Sequence, residues 1–300
     1  MSLAKRIFLF LVLNFAVILT IAFLLRLFNV QPFLTKTGIN YYHLLFFCLI
    51  WGMGGAFISL LLSKSMAKWM MGVKIIDPES TNEKERHLLR TVEELARRAN
   101  LSTTPEVGVY EGKEVNAFAT GPTQRHSLVA VSTGLLDHMK TNEIEGVLGH
   151  EISHIKNGDM VTMTLLQGVV NAFVIFLARI LALALSGFGR GQNRSSFGTY
   201  YMFVFLFEVV FMILGSLVVA SYSRFREYRA DKGGAEVAGK YQMIYALKAL
   251  SSAQNRKDPK CEKAAFQALK ISSAKKRGLI FLFSTHPPLE DRIERLKKML

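Results

Sequence analysis

Residues 150–161 read His-Glu-Ile-Ser-His-Ile-Lys-Asn-Gly-Asp-Met-Val, and an apolar run, Val161 to Leu185, follows directly. His150 and His154 are four positions apart, so on a helix both imidazoles project from one face and can reach a single metal ion. Glu151 falls beside the coordination position that the two rings leave open, where a carboxylate can take a proton from water. The flanking residues bound the helix. Thr141-Asn142-Glu143 offers an N-cap and an acidic first turn, and Asn157-Gly158-Asp159 offers a stop, so the pattern predicts a helix from about 143 to 156.

Working outward, half of the 300 residues are hydrophobic, unlike a soluble enzyme of this size. The apolar content is concentrated in four runs, Ile7 to Leu25, Tyr41 to Leu62, Val161 to Leu185 and Tyr201 to Tyr222. Each is near or above the roughly 20 residues that cross a bilayer as a helix. The first follows Lys5 and Arg6, but its apolar core is too long for a signal peptide and no small-residue cleavage site follows at Arg26 to Val30, so a retained anchor is expected. The two cysteines, Cys48 in the second run and Cys261 in a polar segment, exclude a disulfide framework and a cysteine metal cluster.

The net charge is +14, yet no basic-aromatic motif for nucleic acid is present, and the basic residues mostly flank the apolar runs or scatter over the C-terminal third among acidic residues. Lys5, Arg6, Lys64, Lys68, Lys74, Lys156, Arg224, Arg226, Arg229 and Lys232 fall on one side of a four-span topology; Arg26, Lys36, Arg190 and Arg194 fall on the other. The positive-inside rule then puts both termini and the polar regions in the cytoplasm. The expected organisation is a transmembrane hairpin over 1–62, a catalytic region over 63–160, a second hairpin over 161–222 and a C-terminal catalytic part over 223–300. Arg179 and Glu208 sit at similar depth in the second hairpin, where they either form an ion pair between spans or snorkel independently toward the outer surface.

Other segments carry the scaffold. Glu83 to Asn100 reads as an amphipathic helix with Leu88, Leu89, Val92, Leu95 and Ala96 on its inner face, and Pro288 to Leu300 as a closing helix. Val107 to Val131 has short apolar runs broken at Glu111-Gly112 and Gly121-Pro122, as in a small sheet. Gln254 to Lys263 reads as a charged surface loop, and Lys275-Lys276-Arg277 as a segment near lipid headgroups.

A catalytic zinc takes three protein ligands and leaves one position open. Beyond the fourth run, Glu227 and Asp231 stand at i and i+4, so one carboxylate can bind metal while the other accepts a hydrogen bond from a ligand imidazole. A structural zinc in a channel or scaffold would want four protein ligands, and three candidates have suitable spacing.

HExxH followed by Glu-Tyr-Arg-Ala-Asp at 227–231 resembles the HtpX family of membrane metalloproteases, relatives of the CAAX prenyl endopeptidases. The resemblance extends over Asn116-Ala117-Phe118-Ala119, His150 to Met160, and Ser284-Thr285-His286-Pro287-Pro288 followed by Arg292-Ile293. It implies an α-helical membrane protein of about four transmembrane helices with a mainly α, zincin-like (α+β) cytoplasmic protease domain. It implies one zinc ion per chain on His150, His154 and Glu227, with Glu151 as general base and then proton donor to the leaving amine. Asp231 would support a ligand ring, Arg292 would hold its segment, and His286 would stabilise the oxyanion. Asn116, Ala117, Phe118 and Ala119 would line the substrate cleft, taking an extended polypeptide along a strand edge. The implied partners are polypeptides, membrane proteins above all, and the lipid bilayer, with no nucleic acid. The implied setting is quality control and stress response at the bacterial inner membrane. Cleavage of prenylated C-termini, or of transmembrane segments within the bilayer, are the rival activities; Lys156-Asn157-Gly158-Asp159 after the signature argues against the second.

Overall fold

The computed structural model describes residues 40–186, 197–255 and 279–299. The expectations for Ile7 to Leu25, for Arg26, Lys36, Arg190 and Arg194, for Cys261 and for Lys275 to Arg277 lie outside these residues, as does most of the Gln254 to Lys263 loop. Among the described residues three helices are long and apolar enough to cross a membrane. These are α1 (Tyr41–Met71), α5 (Asp159–Ser186) and α6 (Phe197–Val237), the last preceding α7 (Lys240–Asn255). Between α1 and α5 come β1 (Lys74–Ile75), α2 (Glu83–Arg98), β2 (Glu106–Tyr110), β3 (Ala117–Thr120), β4 (Leu128–Ser132), α3 (Thr133–His138) and α4 (Thr141–Asn157). A 3-10 turn (Leu279–Phe283) and α8 (Leu289–Lys297) complete the described chain.

The chain divides into two units, Met1–Ser59 with Met163–Val219, and Leu60–Thr162 with Ala220–Leu300. In the first, α1 and α5 approach closely because glycines meet partner atoms: a Cβ on Gly52 would lie 2.5 Å from Ala172 N, and one on Gly168 2.7 Å from Met53 Sδ. Cys48, Val169, Phe176, Ile180 and Leu183 are buried along this contact. Phe46, Trp51, Phe205, Leu206 and Ile213 are exposed, as lipid-facing side chains are. Arg179 Nη1 donates to Glu208 Oε1 at 2.9 Å, so of the two arrangements open from the sequence the ion pair forms.

In the second unit the sheet runs β1-β2-β4-β3, with β2 parallel to β4 and the outer pairings antiparallel. The two-residue β1 is too short to show as a strand in the sequence. Helix α2 starts where the Asn82 side chain accepts from the Lys84 N–H, and it buries Leu88, Val92, Leu95 and Ala96, with Leu89 partly covered. Leu88, Leu89, Val92 and Leu95 pack with Val129 and Val131 of β4 and Leu148, Ile152 and Ile155 of α4. Lys64 and Lys68, late in α1, pair with Glu106 on β2 at 2.7 and 2.8 Å.

Two boundaries differ from the sequence expectation. Helix α4 starts at Thr141 rather than about 143, because the Glu143 carboxylate accepts the Lys140 N–H at 2.8 Å and closes an earlier first turn. The stop after it is a single residue. Gly158 takes a left-handed conformation, φ 67°, and the chain re-enters helix at Asp159. The fourth apolar run likewise does not end its helix at Tyr222: no proline interrupts the polar segment and Gly233-Gly234 remain helical, so α6 continues to Val237 and carries Glu227 and Asp231.

Candidate metal centre

Helix α4 presents His150 and His154 from one face, and both are buried. The C-terminal part of α6 reaches them because small residues line the contact. A Cβ on Gly149 would lie 2.7 Å from the Ala238 Cβ, and one on Gly234 would lie 3.0 Å from the His150 backbone N. Any larger side chain there would push the two helices apart.

Across this contact His150 Nε2 and His154 Nε2 are 3.1 Å apart. Glu227 Oε2 lies 3.4 Å from the first and Oε1 3.4 Å from the second. The other ring nitrogens face carboxylates: His150 Nδ1 is 3.0 Å from Asp231 Oδ1, and His154 Nδ1 is 2.7 Å from Asp159 Oδ2. Hydrogens on both Nδ1 atoms therefore leave both Nε2 lone pairs pointing at each other and at a carboxylate. Such an assembly repels itself unless a cation sits among the three donors.

The donor set fits a metal ion on three counts. The candidate atoms of His150, His154 and Glu227 lie within 4.8 Å of one another. Glu227 is 1% exposed, and its Oε2 has no hydrogen bond among the described residues although His286 Nδ1 stands 2.9 Å away. Two imidazoles and a carboxylate are also the ligand types of an open zinc site. Without the ion a proton fills the role. Burial opposes charging His150, but its hydrogen bonds to Asp231 and Glu227 prevail and raise its pKa to about 10. For His154, burial is likewise outweighed by Asp159 and Glu227, again raising the pKa.

The remaining sequence candidates are placed as follows. Glu151 is partly exposed on α4 and has no hydrogen-bond partner among the described residues, which leaves its carboxylate available. Asp231 is gripped by Arg292 of α8, with Nε to Oδ2 at 2.8 Å and Nη2 to Oδ1 at 2.6 Å. Arg292 is 6% exposed and its Nη1 lies 3.6 Å from Glu227 Oε2, so it is no surface charge. His286 is 63% exposed at the side-chain level and borders the cluster through Glu227. Its segment is tied down by Arg224, which donates to the carbonyl oxygens of Leu282 at 2.9 Å and Ser284 at 2.7 Å.

Asn116 to Ala119 lie outside this cluster. Ala117–Thr120 form β3, at the edge of the sheet and half-buried. Ala117 and Ala119 pack on the main core, while Phe118 lies against Tyr110, their ring centroids 5.8 Å apart. Exposed Asn116 is held by main-chain contacts to Ser132.

Two residues of the cluster escaped the sequence reading. In the sequence Asp159 reads as part of a helix stop and Arg229 as a membrane-flanking charge, whereas in the structure Arg229 pairs with the carboxylate that faces His154. An acidic residue five positions after His154, just past a glycine cap, was the available signal.

The model of peptidase family M48 matches residues 82–300. A protease HtpX homolog of Methylacidiphilum infernorum is 48% identical over 299 residues, covering 98% of this chain and 99% of the relative. Those of Bacillus subtilis and Chlorobium phaeovibrioides are 48% and 51% identical over 303 and 297 residues, each with 98% of this chain and 99% of the relative covered. Among solved structures, the crystal structure of Ste24p from S. mikatae superposes with a TM-score of 0.60 at 18% identity, over 96% of this chain and 66% of that one, a likeness of fold. The metal-binding constellation, the apolar helices and near-full-length similarity agree: the chain belongs to peptidase family M48, as an HtpX-type membrane metalloprotease.

Proposed function

We propose that His150, His154 and Glu227 hold one Zn2+ per chain, and that the protein cuts internal peptide bonds of misfolded or damaged membrane proteins at the cytoplasmic face of the bacterial inner membrane. The observation that carries the metal reading is the convergence of three buried donors whose opposite sides are already engaged by carboxylates or arginine. When bound, the ion supplies Lewis acidity that polarises the scissile carbonyl and eases ionisation of the attacking water.

The chain's own groups do the rest. Glu151, unengaged beside the ligands, accepts the proton of the attacking water and returns it to the leaving amine. Asp231 holds the His150 tautomer, and Arg292 holds Asp231. His286, at the exposed rim, turns from Glu227 toward substrate and donates to the developing oxyanion. Among the described strands β3 pairs only with β4, so its free edge, with Asn116 to Ala119, can bind an extended polypeptide through main-chain hydrogen bonds. Such binding selects side chains weakly, which suits damaged proteins of varied sequence. The polar regions 63–160 and 223–300 form one catalytic domain in this reading, and the clustering of basic residues beside them supports a cytoplasmic orientation.

One experiment tests the mechanism and the orientation. Purified wild-type protein and Glu151→Gln are assayed in detergent for casein hydrolysis and zinc content, with chelator inhibition and zinc reversal. The variant keeps its zinc and loses activity by at least about 100-fold; full activity in that variant overturns the assignment. In sealed vesicles, casein added outside is cut only when the membrane is inside-out, and cutting by right-side-out vesicles overturns the cytoplasmic placement.

A further inference from the structure

We infer that Asp159 and Arg229 are positioning residues that fix His154 for metal binding, an inference that rests on the three-ligand reading above. Asp159 is 1% exposed, and each of its carboxylate oxygens has one partner: Oδ2 meets His154 Nδ1 at 2.7 Å, and Oδ1 takes a hydrogen bond from Arg229 Nη2. A buried carboxylate is costly unless paired. Here the pairing does specific work: the proton of His154 is held on Nδ1, and its Nε2 is aimed at His150 Nε2 and Glu227 Oε1.

The same order of groups recurs at the other ring, where His150 Nδ1 meets Asp231 and Asp231 meets Arg292. The two relays come from different parts of the chain. Asp231 and Arg292 belong to α6 and α8, whereas Asp159 is the first residue of α5 and Arg229 is two positions beyond Glu227 on α6. Past the left-handed Gly158, Asp159 brings its carboxylate to His154 Nδ1, two residues after α4 has ended. Arg229 is 37% exposed at the side-chain level, and its Nε is buried without a hydrogen bond. Its geometry therefore serves the contact with Asp159 at the expense of its own solvation.

An acidic residue also favours a helix N-terminus, so a purely structural role must be separated from positioning. Asp159→Asn retains the size and capping capacity of the side chain and removes its charge. The full-length protein in detergent is stripped of metal and titrated with Zn2+ against a chromophoric chelator. Thermal unfolding of the metal-free form and the visible spectrum of the Co2+-loaded form are recorded alongside. Asp159→Asn is expected to bind zinc about 10- to 100-fold more weakly and to alter the cobalt spectrum, with metal-free unfolding near that of the wild type. Arg229→Gln, at a partly exposed position that tolerates change, is expected to weaken zinc a few-fold in the same direction. Zinc affinity within twofold of wild type and an unchanged cobalt spectrum in both variants overturn the inference while leaving the metal centre intact. A wild-type protein that takes up no zinc overturns the three-ligand reading itself.

Discussion

Two of the ion pairs that join helices, one in each unit, are built to different standards. Asp231 and Arg292, in the second unit, share two hydrogen bonds of 2.6 and 2.8 Å, with side chains 3% and 7% exposed. Glu208 and Arg179, between apolar helices, share one of 2.9 Å and remain 32% and 25% exposed. The first pair is buried against the His150 ring, so neither charge has an alternative partner in water. The second stands between apolar helices and is open at its edges, and Arg179 has a further acceptor in the Ile175 carbonyl at 3.1 Å. The pair that touches the His150 ring is enclosed, whereas the pair between the apolar helices is left partly open.

The contrast breaks most visibly at Arg292. Arg292→Met should leave Asp231 buried and uncompensated, at a cost of about 3 to 5 kcal/mol in the metal-free protein. Thermal unfolding in detergent measures it, and a variant as stable as wild type would show the pair to be dispensable. Next comes the helix contact that brings Asp231 and Glu227 to the histidines. Gly234→Ala puts a methyl group against the His150 backbone and Met243, and should destabilise by about 1 to 3 kcal/mol while weakening zinc binding. Unchanged zinc affinity would mean that α4 and α6 have slack at this point. The smallest effect belongs to the membrane pair: Glu208→Gln should cost about 0.6 kcal/mol, the usual scale for polar contacts between membrane helices. A loss comparable to that of Arg292→Met would erase the distinction between the two pairs.

Much of the architecture was legible in the chain because its signals are local. The three described spans announce themselves by length and hydropathy, and α2 by its cap and the period of Leu88, Val92 and Leu95. Helix ends were less legible, since α6 continues past its apolar run wherever backbone hydrogen bonds can propagate through polar residues. The glycines at 149 and 234 carried no readable signal. Their role is the close approach of another helix, which no local pattern records.

The sequence by itself determined the pairing of His150 with His154, since four residues along a helix place two rings on one face whatever surrounds them. It also determined that an acidic pair stood one turn apart at 227 and 231. Which carboxylate meets which nitrogen was decided by tertiary structure alone: Glu227 faces both Nε2 atoms, and Asp231 faces His150 Nδ1. The same holds for Asp159 and Arg229, 70 positions apart in the chain and joined only because α4, α5 and α6 converge around one buried cluster. The physical reason is that helical periodicity is set by neighbouring residues, whereas the partner of a buried charge is set by whichever segments the fold brings within a few ångströms.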